Sequence, residues 1–343
     1  MPLLSRMAPC ARPCFVLLVL LVLPVFACDE TASEVASTSE GLGPAACTDP
    51  RSALTLPGPT FFPEGVAVGP DGAFYAGSTR GGGIVRVPPG GTVGEPFFGP
   101  RAEFGVYGLV VDARRNTLWA CTADDTLLPN QEAYLHGYDL RTGAIKTAHA
   151  MPGPQGFCND LDLDDRGNVF ATDSLAHTIV ELPAGGGELV TWATDPRFEA
   201  DPDVITLNGI VFDRARHRLL VVNWNNGDLY SVPIRPDGSA GVPVTIPIDV
   251  PLMSPDGLEI LDPHTLVVGE NRANQVSLVH LSGDPAGEHG TKQVIAKELQ
   301  QPTTSAIWRG SAWTVISQQL AIDGPGAPSL PFVVERIVIP GIR

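Results

Sequence analysis

Residues 207–223, LNGIVFDRARHRLLVVN, and residues 255–271, PDGLEILDPHTLVVGEN, share one arrangement. Each has a polar residue directly before a glycine near its start, Asn208 in the first and Asp256 in the second. Alternating apolar residues, a turn and a second apolar run then follow. Alternation with a period of two indicates β-strands, and a short polar turn between two such runs indicates a hairpin. Both stretches are predicted hairpins, but strand formation alone does not explain their polar first residues.

The same hairpin pattern occurs six times along the chain. Each copy has one leading residue, a small or turn-forming second residue, and two apolar runs joined by a turn. The second residues are spaced by 43, 52, 49, 48 and 48 positions. The second residues are Gly65, Gly108, Asp160, Gly209, Gly257 and Ser305. A regular period of this length indicates a repeat architecture.

Each repeat continues with a third apolar run, and most have a fourth, such as residues 189–194 and 292–297. Four antiparallel strands per repeat form a propeller blade, so the sequence predicts an all-β, six-bladed β-propeller. The last repeat lacks a fourth run after residues 332–339, whereas residues 53–56 have no hairpin partner. We therefore expect this N-terminal strand to close the last blade, because an open ring would leave unpaired strand edges. A pair of β-sandwiches is the alternative.

The first residues of the chain predict export. Arginines precede the apolar run 15–27, which indicates an export signal over residues 1–27. Residues 25–28, VFAC, resemble a bacterial lipobox, so Cys28 is a predicted lipidation site. Residues 28–50 are polar and small, typical of a flexible tether, and residues 51–343 form the predicted propeller. We expect a membrane-anchored lipoprotein of the bacterial envelope, or else a secreted or periplasmic protein. The membrane is then a partner only through the lipid.

Charge and cysteine content narrow the function classes. A net charge of −16 argues against a nucleic-acid partner, because phosphate binding needs a basic surface. After removal of the signal and lipidation of Cys28, three cysteines remain, Cys47, Cys121 and Cys158. At most one bridge can form among them, and buried free thiols are the favoured interpretation. No spacing supports a zinc site, and the sequence gives no information on oligomeric state.

In a propeller the first strand of every blade lies beside the central channel, so the leading residues should meet there. These residues are Glu64, Tyr107, Asn159, Asn208, Asp256 and Thr304. Two carboxylates in a confined channel are costly without a positive charge between them, and no lysine or arginine occupies a leading position. We therefore predict a metal site built from Glu64, Asn159, Asn208 and Asp256. An all-oxygen set favours Ca²⁺, with Mg²⁺ or Mn²⁺ as alternatives.

The order Glu, Asn, Asn, Asp in blades one, three, four and five resembles the SMP-30/gluconolactonase-like family. The similar segments are 63-PEGVAV, 159-NDLDLDDRGNVFATDS, 207-LNGIVFD and 255-PDGLEI. Paraoxonases and strictosidine-synthase-like proteins are more distantly similar. The resemblance implies a calcium-dependent hydrolase of lactone-like esters, with a small-molecule substrate. It also implies that Asp256 is the general base for the attacking water.

The chain departs from that family in ways that argue against a sugar-acid substrate. Phe157 and Cys158 stand where sugar-lactone members usually place an arginine, just before the asparagine of blade three. Tyr107, Phe157 and Thr304, together with Trp224, are the predicted lining of a more apolar pocket. Packing between neighbouring blades is the alternative role for the aromatic residues.

Two other functional classes remain open at this stage. The propeller could keep the metal for rigidity and bind a ligand or protein partner without catalysis, because fold alone does not decide function. A strictosidine-synthase-like condensing enzyme is a weaker option, since it would need a single axial glutamate in a dry pocket. A catalytic histidine is not favoured, because all seven histidines fall in predicted turns or outer strands.

Overall fold

The computed structural model of the chain describes residues 49–81, 83–99, 104–124, 132–154, 156–201, 204–284, 287–324 and 326–342. Six four-stranded antiparallel sheets form in this part of the chain, so the predicted all-β, six-bladed propeller is confirmed. The first strands of consecutive blades contact one another all the way around the ring, including blade six against blade one. A pair of β-sandwiches would not produce this cyclic order.

Within each blade the strands are given from the axis outward. Blade one contains β2 (Pro63–Val68), β3 (Phe74–Ser78), β4 (Ile84–Val87) and β5 (Glu95–Phe98). Blade two contains β6 (Phe104–Asp112), β7 (Thr117–Asp124), β8 (Ala133–Asp139) and β9 (Ile145–Ala150). Blade three contains β10 (Cys158–Leu163), β11 (Val169–Asp173), β12 (Thr178–Leu182) and β13 (Val190–Thr194).

The second half of the ring follows the same plan. Blade four contains β14 (Leu207–Asp213), β15 (Arg218–Asn223), β16 (Leu229–Pro233) and β17 (Val244–Ile246). Blade five contains β18 (Pro255–Asp262), β19 (Thr265–Glu270), β20 (Gln275–Ser282) and β21 (His289–Ala296). Blade six contains β22 (Pro302–Trp308), β23 (Ser311–Ile316), β24 (Phe332–Val338) and β1 (Ala53–Leu56), and a short helix, α1 (Leu320–Asp323), lies between β23 and β24.

Both ends of the described chain meet in blade six. Strand β1 pairs antiparallel with β24, from Ala53 opposite Glu335 to Leu56 opposite Phe332. A buried ion pair between Asp49 and Arg51 lies just before β1. The Arg51 guanidinium also lies 5.3 Å from the ring centre of Phe74 in blade one and 5.1 Å from that of Trp313 in blade six. This cation–π contact joins the first and last blades at the seam of the ring.

The hydrophobic core lies between the faces of neighbouring blades. One cluster joins blades six and one, with Phe74 and Trp313 in contact at a centroid distance of 5.0 Å. Another cluster joins blades four and five around Val222 and Val268, both fully buried. The alternating apolar residues of each strand therefore serve the packing of two adjacent sheets, as expected for stacked β-sheets.

A buried ion-pair network joins blades four and five away from the axis. The Arg218 guanidinium contacts Asp213 and binds Glu288 through two nitrogens, one of them 2.9 Å from the Glu288 Oε1 atom. All three side chains are only 4% exposed. Loss of one member would leave its partners charged and buried, which is strongly destabilising.

Cys121 and Cys158 form a disulfide that joins β7 of blade two to the start of β10 in blade three. The favoured interpretation of buried free thiols is therefore wrong for these two cysteines. Neighbouring blades bring the two residues to a Cα separation of 4.9 Å although they are 37 positions apart in sequence. Sequence spacing could not show this, because the contact depends on how two blades are stacked.

The predicted export signal of residues 1–27, the lipidation site Cys28, and Cys47 lie outside the described residues, as does the tether up to residue 48. Within the described ranges, no helix has both the length and the apolar character needed to cross a membrane.

Candidate functional site

The pairing of the first two strands is interrupted at the same place in every blade. In blade one the register shifts between Pro63 and Val66, and in blade four it shifts between Leu207 and Ile210. The equivalent shifts lie between Val106 and Leu109, Cys158 and Leu161, Pro255 and Leu258, and Pro302 and Ser305. Two residues of each first strand are thus released from the ladder, as in a β-bulge, and the first of them is the leading residue.

The strand register of blade six corrects the predicted leading residue of that blade. The two unpaired residues of blade six are Thr303 and Thr304, so Thr303 occupies the position that the sequence pattern assigned to Thr304. Thr304 instead takes the place that glycine holds in most blades, and its Cα would lie 2.5 Å from a Cβ added to Gly257. The Thr303 hydroxyl donates a hydrogen bond to the carbonyl oxygen of Glu64 at 2.7 Å. Blade six therefore contributes a structural contact to the ring.

The glycine that follows a leading residue allows the first strands to approach closely. A Cβ on Gly65 would lie 2.0 Å from the carbonyl oxygen of Tyr107, and one on Gly209 would lie 2.2 Å from that of Asp256. Real side chains do not tolerate such contacts, so these positions require glycine. The close packing of the first strands is what brings the leading residues of different blades near one another.

Glu64, Asn159, Asn208 and Asp256 line a single cavity on the axis of the propeller. Their exposed fractions are only 4%, 4%, 5% and 5%. The carboxyl groups of Glu64 and Asp256 lie within hydrogen-bonding contact of each other. Residues that are far apart in the sequence thus form one compact polar group.

Each of these four side chains has a buried oxygen without a hydrogen-bond partner. The atoms are Glu64 Oε2, Asn159 Oδ1, Asn208 Oδ1 and Asp256 Oδ1. The Asn159 amide nitrogen donates to the Ser174 hydroxyl at 2.9 Å, which fixes the amide so that its oxygen is the free atom. Buried polar atoms are nearly always satisfied, so four unsatisfied oxygens at one place call for a ligand that accepts their lone pairs. A cation meets that requirement.

The charges of the site also fit a cation. Burial, and then the negative charges of Asp256 and Asp160, raise the pKa of Glu64 well above its usual value. Burial and the charge of Asp160 raise the pKa of Asp256 to about 8, although the contact with Glu64 opposes this shift. Without a cation, at least one carboxyl of the pair therefore holds a proton at neutral pH, because two adjacent buried carboxylates cannot both ionise cheaply.

Further buried acids near the site resist ionisation in the cation-free protein. Burial raises the pKa of Asp160 to about 7 and that of Asp162 to about 6. The pKa of Glu259 is raised well above its usual value by burial and by the charges of Asp162 and Asp160. The Asp160 carboxylate accepts a hydrogen bond from the Leu161 backbone at 2.9 Å, so it supports the turn beside Asn159. A cation bound nearby would favour the ionised forms of these acids, so cation binding and their deprotonation would support each other.

The donor set consists of two carboxylates and two carboxamides. Within the described ranges no three His, Cys, Asp or Glu side chains come together as a possible metal site, so any cation here must depend on the amide oxygens of Asn159 and Asn208. Hard cations such as Ca²⁺ accept carboxylate and carbonyl oxygens, whereas zinc prefers nitrogen and sulfur. The residues present therefore fit a hard divalent cation.

The cavity above the four oxygens has a volume of about 240 Å³. Tyr107 and Phe157, which the sequence predicted as pocket residues, line it, but Thr304 does not. Sequence reasoning missed several further lining residues: Thr79, Arg80, Ile205, Asn271, Gln319 and Ile322. Thr79 and Asn271 directly follow a second strand, and Ile205 lies two residues before a first strand. A positional rule of this kind could have identified them once the blades were aligned.

The histidines do not contribute to this cavity. None of the seven lies among the described residues that line it. His136 is buried in blade two, where its Nδ1 atom is 2.8 Å from the Thr122 hydroxyl. The site therefore depends on oxygen ligands.

Comparisons with known proteins agree with this architecture. A family model described as "Strictosidine synthase-like, N-terminal" matches residues 52–87, and the search of curated proteins found no match. A luciferin-regenerating enzyme is 12% identical with a TM-score of 0.60, over 85% of this chain and 94% of that one. A gluconolactonase from Xanthomonas campestris is 16% identical with a TM-score of 0.54, over 81% of this chain and 96% of that one.

Propellers of other activities are similar to the same degree. A virginiamycin B lyase from Staphylococcus aureus is 14% identical with a TM-score of 0.55, over 84% of this chain and 88% of that one. At such identities the likeness concerns the fold alone. The resemblance noted from the blade openings is supported at that level: the chain has the six-bladed propeller fold of the SMP-30/gluconolactonase-like proteins, and its first blade matches the strictosidine synthase-like model.

Proposed function

We propose that the protein is a divalent-cation-dependent hydrolase of lactone-like esters, with Ca²⁺ as the preferred cation. The observation that carries this proposal is the group of four buried, unsatisfied oxygens on Glu64, Asn159, Asn208 and Asp256 at the base of one cavity. The structural similarity to a gluconolactonase is consistent with the proposal.

When bound, the cation would polarise the ester carbonyl and stabilise the negative charge that develops on its oxygen. Glu64, Asn159, Asn208 and Asp256 would hold the cation at the cavity that receives the substrate. Ser174 keeps the Asn159 oxygen directed to the centre through its hydrogen bond with the amide nitrogen. The close packing at Gly65 and Gly209 keeps the first strands in place, so the donors are fixed before substrate arrives.

Asp256 is the proposed general base. Asp256 lines the cavity, so its carboxylate would be both a ligand of the cation and a proton acceptor for the attacking water. A nearby cation would lower the pKa of this carboxyl from about 8 and keep the base ionised at neutral pH. Asparagine at this position would retain the shape of the side chain but could not accept the proton.

The test begins with chelator-treated full-length protein. Calorimetric titration with Ca²⁺, Mg²⁺ and Mn²⁺ should show one strong site that prefers Ca²⁺. Hydrolysis of a panel of lactones, followed by pH-stat, should require the cation and should fall by about 10²-fold or more in Asp256→Asn. Asp237→Asn is the matched control, because Asp237 is an exposed aspartate in the loop that precedes β17.

The outcomes distinguish the two functional classes considered for this fold. Calcium binding without hydrolysis of any lactone would favour a non-catalytic propeller that uses the cation for rigidity and binds a ligand or protein partner. Failure to bind any divalent cation would reject both. Full activity in Asp256→Asn would reject the assigned base while leaving the cation site standing.

A further inference from the structure

The cavity above the four oxygens has two chemically different halves. Blades two, three and four contribute four large, mostly apolar side chains: Tyr107, Phe157, Ile205 and Trp224. Blades five, six and one contribute mainly polar residues: Asn271, Gln319, Thr79 and Arg80, with Ile322 as the exception. Because consecutive blades contact one another around the ring, these two sets occupy opposite sides of the axis.

The apolar half is held rigidly. Tyr107 and Phe157 meet edge to face at a centroid distance of 4.7 Å, and they are only 8% and 3% exposed. The Phe157 backbone N–H donates to Asp173 at 2.9 Å, and its carbonyl oxygen accepts from the Ser174 N–H at 3.0 Å. The next residue, Cys158, is tied to blade two by the disulfide. The aromatic wall is therefore part of the framework and does not need to form when a ligand enters.

The polar half can hydrogen-bond only one side of a hydroxylated ligand, chiefly through Arg80 and Gln319. The Thr79 hydroxyl already donates to the Phe62 carbonyl oxygen at 2.9 Å. The Asn271 amide nitrogen is 3.5 Å from the Pro302 carbonyl oxygen, so it is directed away from the ligand. A ring that carries hydroxyls on both faces would bury some of them against Tyr107 and Phe157 without hydrogen bonds, and each such group costs free energy.

The mouth of the cavity continues the apolar half. The Arg272 guanidinium lies 4.3 Å from the centre of the Trp224 ring. No carboxylate pairs with Arg272 among the residues that the structure describes, so its best-defined contact is this cation–π stack. The stack holds the Trp224 ring beside the entrance. The cavity volume of about 240 Å³ limits the ligand to a small molecule.

We infer that the site selects small lactones or esters that carry an apolar ring or alkyl face, and that it discriminates against polyhydroxylated sugar lactones. This inference rests on the proposed function and names its substrate class. The carbonyl of such a substrate would point to the four oxygens, and its apolar face would lie against Phe157 and Tyr107.

Binding and turnover are tested separately. Calcium-loaded protein is titrated by calorimetry with ε-caprolactam and with gluconolactam, two uncharged cyclic amides that cannot be hydrolysed readily. We expect caprolactam to bind at least about tenfold more tightly, the scale that a few apolar contacts provide. Rates of hydrolysis for ε-caprolactone and glucono-δ-lactone should show the same order in kcat/KM.

Phe157→Ala should reduce the preference for the apolar ligand by about tenfold in both assays while calcium binding is retained. Phe97→Ala is the matched control: Phe97 is a partly buried aromatic on the outermost strand of blade one, and it packs against Tyr75 rather than the cavity. The control variant should keep the preference of the unaltered protein.

Several results would overturn the inference. They are equal or tighter binding of gluconolactam, no detectable binding of either amide, or a Phe157→Ala variant with unchanged preference. Different results would reject the proposed function: the protein would fail to bind calcium, or it would hydrolyse none of the lactones. Tighter caprolactam binding that depends on Phe157 would support the apolar selectivity of the pocket even if no lactone were hydrolysed.

Discussion

Replacing Asp256 with asparagine should stabilise the cation-free protein at neutral and alkaline pH, although it should weaken cation binding. The reason is the environment of this carboxyl. Burial and the charge of Asp160 raise its pKa to about 8, compared with 3.8 for an unperturbed aspartate. An aspartate raised in this way opposes folding whenever the solution is alkaline enough to ionise it in the unfolded chain.

Proton linkage gives the sign and the size of the effect of Asp256 on the free energy of unfolding. Between pH 4 and pH 8 the folded protein holds a proton on Asp256 that the unfolded chain has released, so stability falls as the pH rises through this window. Each unit of pH costs about 1.4 kcal/mol, which gives about 4 kcal/mol at pH 7. Asparagine carries no titrating proton and has nearly the same shape. We expect it to recover at least half of this amount, about 2 kcal/mol.

The assay is equilibrium urea unfolding with chelator at pH 5, 6, 7 and 8. The free energies of unfolding for the two proteins should be similar at pH 5 and should diverge steadily above it, with Asp256→Asn the more stable. Excess Ca²⁺ should reduce this difference at pH 7, because the unaltered protein gains more binding free energy than the variant. Parallel pH profiles, or a variant less stable than the parent at pH 8 in chelator, would refute the reasoning.

Three further sets of substitutions test the close packing of the first strands, the disulfide and the buried ion-pair network. Gly209→Ala should lower the free energy of unfolding by about 3 kcal/mol or more and weaken calcium binding, because the new Cβ would lie 2.2 Å from a backbone oxygen of the next blade. Its control is Gly185→Ala, whose new Cβ would have nothing within 4 Å. The control should be nearly neutral in the same urea and calorimetry assays. The double variant Cys121→Ser, Cys158→Ser should lose up to about 4 kcal/mol in the free energy of unfolding measured in urea. Dithiothreitol should no longer change the stability of this variant. If dithiothreitol still lowered its stability, this pair would not be the bridge. Arg218→Ala should cost about 3 kcal/mol because it leaves Asp213 and Glu288 buried with Arg216 as their remaining counter-charge, and a loss below about 1 kcal/mol would contradict the buried network.

The sequence alone was sufficient for the architecture and for the positions of the four oxygen residues. Six hairpins at nearly regular spacing required six similar sheets, because each hairpin exposes an apolar face that only a neighbouring copy can cover. A polar residue at the head of the hairpin, followed by glycine in three blades and by Asp160 in blade three, marked the same place each time, so Glu64, Asn159, Asn208 and Asp256 could be selected without coordinates. Local pattern was informative here because the proposed site is built from a repeated position of a repeated unit.

Only the tertiary structure decided features that depend on contacts between blades. The register shift in blade six assigned the leading position to Thr303 rather than Thr304, since two adjacent threonines give no local signal for which one leaves the ladder. The bridge between Cys121 and Cys158 depends on the stacking of two sheets, which thiol spacing cannot encode. The unsatisfied oxygens and the two-sided cavity likewise arise from residues that are far apart in sequence, so they exist only once the ring is closed.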